Sequence, residues 1–231
     1  MVDPIKITDF NLSVPKLEEV LLFWVCAAGK NAMTAARGLE AVLTEIGGKD
    51  EPFKTILEKG KSNHRYLPNV LKKNGIGCYN NKACTFFQLA LHNLDLKTCT
   101  VNDLQCVYGI GPKTARCFLM HSRKDARCAG LDTHVLKFMK DLGYDVPSST
   151  PSGKKYLKIE KQFLELVDLT GMSVAEMDLL IWRIYSGKCD DSDKERFDDV
   201  WKLLEEKRTV SASQSGGCDD TDYQNDRIGF I

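Results

Sequence analysis

Apolar residues along this chain recur at the three-to-four spacing that lines one face of a helix. They do so in eleven stretches: residues 16–28, 32–46, 52–58, 65–73, 79–93, 101–107, 112–121, 133–142, 154–169, 173–186 and 192–208. The alternation of a half-buried strand is negligible. Gly47-Gly48, Gly60, Gly75 to Gly77 and the stretch Pro147 to Gly153 supply the breaks. The pattern predicts an all-α protein of short helices. With 231 residues and 43% hydrophobic content, the chain can bury a core as one domain or two closely packed lobes.

One pair of predicted helices carries unusual punctuation. Thr100, followed three residues later by Asp103, reads as a capped helix start, and Gly109 stops the helix that follows. Two glycines, Gly109 and Gly111, permit a tight reversal, and Pro112 has its φ preset for the first turn of the next helix. The prediction is helix, short hairpin, helix. Its turn from Gly109 to Lys113 offers backbone N–H groups at a helix's positive end, with no side chain over the glycines, to a phosphate oxygen. Such a grip holds a backbone and reads no base sequence. A phosphate-binding P-loop is excluded by spacing, since Pro112 precedes Lys113-Thr114 and Val107 stands at the first glycine position.

Lys113 in that first turn has further chemistry open to it. The helix N-terminus and partial burial both disfavour an ammonium ion, which leaves room for a neutral fraction able to attack carbon; taken alone, a lysine there is more often a solvated phosphate-binding residue. Nineteen residues on, Asp132 precedes Thr133-His134-Val135. Spacing alone makes it a helix N-cap.

These segments resemble a known superfamily. Lys113 in G-I-G-P-K-T-A and Asp132 in L-D-T-H-V are similar to the helix-hairpin-helix, Gly/Pro-rich loop and aspartate motif of endonuclease III and 8-oxoguanine DNA glycosylase. Val14 to Ala28 resembles the family's early buried helix, Gly75 to Ala83 its G-x-Y-x-x-K-A element, and Asp178 to Lys188 the helix that closes the fold. The resemblance covers roughly residues 14 to 190, in family order. It implies a two-lobed helical fold with the active site in the inter-lobe cleft. Residues 31–127 would form a helical barrel lobe, 1–30 with 128–208 a second lobe built from both termini, and 209–231 a disordered acidic tail.

For chemistry, the resemblance implies a base-excision DNA repair glycosylase with abasic-site lyase activity. Lys113 would be the nucleophile, and Asp132 would cap its helix and steer charge and protons at the sugar. The family places DNA contacts at Gly109, Gly111, Thr114, Asn31 and His134, and base contacts at Asp178 and Trp182, which share a helix face at i and i+4. Plain alternatives stand beside these: an ordinary N-cap for Asn31, packing for His134, core for Trp182. Backbone carbonyls of Gln105, Val107 and Ile110 match hairpin positions that hold a K+ or Na+ ion in the superfamily. The expected partner is double-stranded DNA with a damaged, oxidised or modified base, and the expected state a monomer. A noncatalytic helix-hairpin-helix module would not need Lys113 and Asp132 together. A glycosylase-fold enzyme acting on hypermodified bases of foreign DNA would.

Charge and cysteines sharpen this. Thirty-two basic and thirty-two acidic residues cancel over the chain, but twelve acidic and six basic lie from Asp190 onward, leaving residues 1–189 with twenty-six basic against twenty acidic, a net of +6. The nine cysteines are scattered without a C-x-x-C and read as buried reduced thiols. Endonuclease III carries a carboxy-terminal cysteine cluster that binds iron and sulfur. Here only Cys189 lies near that place, so no iron–sulfur cluster is expected and no cofactor is required. No apolar run reaches membrane-spanning length and M-V-D-P-I-K lacks a signal-peptide core, so an intracellular protein is expected, nuclear in a eukaryote and nucleoid-associated in a prokaryote.

Overall fold

The computed structural model describes residues 1–215. Among them are eleven α-helices and no strand: α1 Val14–Ala27, α2 Ala32–Ile46, α3 Pro52–Ser62, α4 Tyr66–Lys73, α5 Tyr79–His92, α6 Val101–Gln105, α7 Pro112–Ser122, α8 Thr133–Asp141, α9 Gly153–Thr170, α10 Val174–Ser186 and α11 Asp191–Ser215. Each predicted stretch is found as a helix, most within two residues of the expected ends. Two overrun at the carboxy end: α3, which ends at Ser62 and not at 58, and the last, which runs to Ser215, past 208 and into the expected tail. Residues 216–231, the rest of that tail, lie outside the described residues. No described helix is long and apolar enough to cross a membrane.

Local chemistry explains the boundaries. Asn31 accepts the Thr34 amide and starts α2, and Gly47 at φ +72° ends it. Capping boxes open α6 (Thr100 with Asp103) and α10 (Ser173 with Glu176), and Gly187 at φ +67° closes α10.

Helices α2 to α5 pack on one another, and α6 packs on α7. The second group joins α8, α9, α10 and α11. Helix α1 packs on α2, α3, α5 and α7. Its buried residues, among them Leu21, Leu22, Phe23 and Cys26, form an apolar surface broad enough to pack on helices from several sides. The segment before α1 reaches α10, through Arg183 donating to the Ile5 carbonyl at 2.6 Å, and α7, through the Asp9 amide donating to the His121 carbonyl at 3.0 Å. One continuous apolar core runs through both groups.

Candidate active site

The hairpin between α6 and α7 forms as its glycines require. Gly109 lies at φ +82°, a region costly for any residue with a Cβ, and a Cβ there would strike Thr85 Oγ1 on α5. The turn is closed by the Ile110 amide donating to the Val107 carbonyl at 3.1 Å, which engages one of the three carbonyls matched to a cation site. Gly111 is the N-cap of α7 and Pro112 its first residue, and no side chain caps the helix. Its first-turn amides are therefore open to an anionic ligand.

Beside them opens a cleft of about 870 Å³ between the two helix groups. Gly109, Gly111, Lys113, Thr114, Asp132 and His134 all line it, as do Asn31, Asp178 and Trp182. The structure thus brings together every side chain singled out from the sequence. Trp182 is half-buried on the cleft wall, not enclosed in the core. Asn31 both caps α2 and borders the cleft.

Lys113 Nζ lies 3.8 Å from Asp132 Oδ2. The two oxygens of Asp132 divide the work: Oδ1 accepts the amides of His134 (2.8 Å) and Val135 (3.0 Å), capping α8, which leaves Oδ2 toward the lysine. The capping and the chemical readings of Asp132 are compatible in one side chain.

The electrostatics correct the expectation of a partly neutral Lys113. Burial does favour the free amine, but negative charge at Cys117, Asp132 and Asp178 outweighs it, and the pKa lies above the ordinary lysine value. Burial also pushes the Cys117 thiol well above its usual range. At rest the site holds an ammonium ion.

Deeper in the cleft lies a cluster that the sequence reading missed. His121 is enclosed at 1% exposure; its Nε2 is 3.1 Å from Asp178 Oδ2 and its Nδ1 2.7 Å from Thr8 Oγ1. The Trp24 indole stacks on the imidazole at 5.5 Å and 11°. Burial raises the Asp178 pKa, with the His121 hydrogen bond pulling the other way. Lys113, Cys117 and His121 recur every four residues on α7, a signal that would have placed all three on one face. The lysine of the G-x-Y-x-x-K-A element also gains a physical role: Lys82 is buried and donates to the Cys26 (2.8 Å) and Ala28 (3.2 Å) carbonyls, tying down the end of α1 just before Asn31. Among the described residues no group of three His, Cys, Asp or Glu side chains is arranged to hold a metal ion.

No family model matches the chain. Over 84 residues it is 37% identical to the 8-oxoguanine DNA glycosylase/AP lyase of Thermotoga sp. (strain RQ2), a match covering 36% of this chain and 40% of the relative. The chain thus spans about two fifths of the length of the curated relatives it matches. The crystal structure of the Methanocaldococcus jannaschii 8-oxoguanine glycosylase/lyase, in complex with 15mer DNA containing 8-oxoguanine, superposes with a TM-score of 0.59 at 23% identity, over 77% of this chain and 84% of that one. The 8-oxoguanine DNA glycosylase of Thermotoga maritima gives 0.57 at 25% identity over 77% and 83%.

Proposed function

We infer that this chain, a member of the helix-hairpin-helix GPD superfamily of DNA glycosylases, excises an oxidised purine from duplex DNA and then cleaves the abasic strand through a lysine Schiff base. The observation that carries the reading is the Lys113–Asp132 pair, 3.8 Å apart on the wall of a cleft whose rim is an uncapped, glycine-lined helix N-terminus.

The hairpin amides hold a phosphate, and the damaged nucleotide is extruded, because C1′ is out of reach within the stack. Lys113 loses its proton and forms an N–C1′ bond as the glycosidic bond breaks; the base departs with the electron pair and takes up a proton. The Asp132 carboxylate stabilises positive charge developing on the sugar. Ring opening gives the Schiff base, loss of a C2′ proton follows, and the C3′–O bond breaks with the 3′ phosphate leaving. A monovalent cation on the Gln105, Val107 and Ile110 carbonyls would support the hairpin, and no step is routed through it.

The floor of the cleft supports a purine. Asp178 offers a carboxyl to a base edge carrying N–H donors, and Trp182 offers an aromatic face. Because the named relatives act on 8-oxoguanine, that base is the first substrate to test, in a panel with oxidised pyrimidines and phage-type modified bases. Borohydride added to enzyme with abasic or 8-oxoguanine duplex should trap a covalent adduct that Lys113→Gln abolishes. Failure of the unaltered protein to form any adduct with abasic DNA would sink the lyase reading.

A further inference from the structure

We infer that Arg116, Glu160 and Tyr156 form a buried clamp that sets the separation of Lys113 and Asp132, acting as positioning residues without touching DNA. The inference rests on the catalytic reading of that pair.

Asp132 is not delivered by a helix. Between the end of α7 and the start of α8 the chain is irregular, and its last part, Cys128 to Leu131, is buried. Irregular buried backbone must find partners for its polar groups, and here α9 supplies them. The Ala129 amide donates to Glu160 Oε1 at 2.9 Å. The Tyr156 hydroxyl donates to the Ala129 carbonyl at 2.7 Å and accepts the Leu131 amide at 3.0 Å. Burial raises the Tyr156 pKa, so the hydroxyl stays protonated and able to donate. At the rim, Thr150 Oγ1 donates to the Leu131 carbonyl at 3.0 Å.

The same groups grip the lysine's helix. Glu160 Oε1 also accepts Arg116 Nε at 2.7 Å, so one oxygen joins α7 to the segment leading to Asp132. Arg116 lies three residues after Lys113, and its guanidinium donates back to the Pro112 carbonyl at 3.3 Å, at the residue before the lysine. Its plane also stacks over the Tyr156 ring at 4.6 Å. Arg116 and Glu160 are both about 9% exposed in their side chains and neither lines the cleft. Gly130 completes the fit, since a Cβ there would strike Cys117 Sγ on α7. The clamp thus holds the two reacting side chains by the backbones that carry them.

Tyr156→Phe is the direct test. It keeps the ring under Arg116 and removes both bonds to the 129–131 backbone. Single-turnover excision should fall on the order of tenfold to a hundredfold, the scale expected when reacting groups are misplaced by about an ångström. Affinity for a duplex with an uncleavable abasic analogue should stay within about twofold, because the phosphate grip at the hairpin is untouched. The pH profile of borohydride trapping on abasic duplex should move to lower pH, as it would on loss of the Asp132 charge, because the carboxylate drifts from the amine. A loss of rate with an unmoved profile, a parallel loss of rate and affinity, or no loss of rate overturns the clamp. If Tyr156→Phe does not fold, Thr150→Val, which frees only the Leu131 carbonyl, must shift the profile in the same direction by less, and an unshifted profile overturns it too. Inactivity of the unaltered protein on abasic and 8-oxoguanine DNA would be failure of the proposed function, visible before any clamp variant is made.

Discussion

Replacing Asp132 separates its two tasks. Its Oδ1 holds the second and third amides of α8, those of His134 and Val135, at 2.8 and 3.0 Å, while Oδ2 faces Lys113. Asparagine keeps an acceptor at the Oδ1 position and is as good a cap as aspartate, so Asp132→Asn should leave the melting temperature nearly unchanged. Asp132→Ala loses both bonds and should cost about 1 kcal/mol, or roughly 2–4 °C for a chain of this size. Both variants lose the negative charge, and base excision should fall about 10²- to 10⁴-fold in each. The amine responds in the opposite sense. Asp132 is one of the groups that raise the Lys113 pKa, so its removal lowers that pKa and increases the neutral fraction at a given pH. Trapping on a preformed abasic site, which needs the free amine but no departing base, should therefore persist in Asp132→Asn with its pH profile moved downward. Thermal melts, single-turnover excision and borohydride trapping from pH 6 to 10 read the three quantities separately. Near-normal excision by Asp132→Asn, or a trapping profile that stays put or moves up, would refute the division of labour.

Gly109→Ala should be damaging twice over: φ +82° costs a side chain about 1–2 kcal/mol, and the new methyl meets Thr85 Oγ1. Melting temperature and affinity for duplex DNA should both drop, and adding Thr85→Ala should recover the collision but not the strain; full recovery by the double variant would show that φ is not limiting. Asp178→Asn tests the buried carboxyl that faces His121, Lys113 and Asp132. Because the folded pKa of Asp178 is raised above the ordinary 3.8, chiefly by burial, the folded state holds the proton longer than the unfolded one. The stability of the unaltered protein relative to Asp178→Asn should therefore decline as pH rises from that ordinary value through the folded pKa, and a flat or rising difference in melts between pH 3.5 and 7 would count against a buried, proton-retaining acid.

The parts legible in the sequence are those whose physics is local. Helical spacing located all eleven helices among the described residues, and the hairpin followed from Gly109, Gly111 and Pro112 because positive φ and a preset φ are properties of single residues. The roles of Lys113 and Asp132 came only from the resemblance of G-I-G-P-K-T-A and L-D-T-H-V to a known motif, since local spacing alone makes them a phosphate-binding lysine and a helix cap. What stayed hidden depends on contacts between residues distant in the chain. The breadth of α1's buried surface decides which helices enclose it, and a one-dimensional pattern carries no information about neighbours. The charge state of Lys113 is hidden only in part for the same reason: burial and the helix terminus favour the amine, while the groups that raise its pKa are Cys117, one helical turn on, and Asp132 and Asp178, which arrive from nineteen and sixty-five residues away.

That reversal bears on how such a site can work. A resting ammonium opposite a carboxylate is unreactive toward carbon, yet it is stable without a ligand and needs no strained, neutral lysine in an empty cleft. Under the proposed function, reactivity would depend on what an extruded nucleotide brings: its bulk would exclude water from a cleft of about 870 Å³, and its phosphates would add negative charge at the hairpin. Added negative charge alone would hold the proton more tightly, so activation has to come from desolvation and from a proton acceptor. For base excision Asp132 Oδ2 is placed to be that acceptor, because the hydrogen bonds that cap α8 fall on Oδ1; on a preformed abasic site solvent can take the proton instead. Placing the acceptor oxygen within reach of the lysine, with the other oxygen fixed to the backbone, makes proton transfer depend on the geometry of the segment from Ala129 to Asp132. That geometry is under the control of α9, which never meets the substrate chemistry itself.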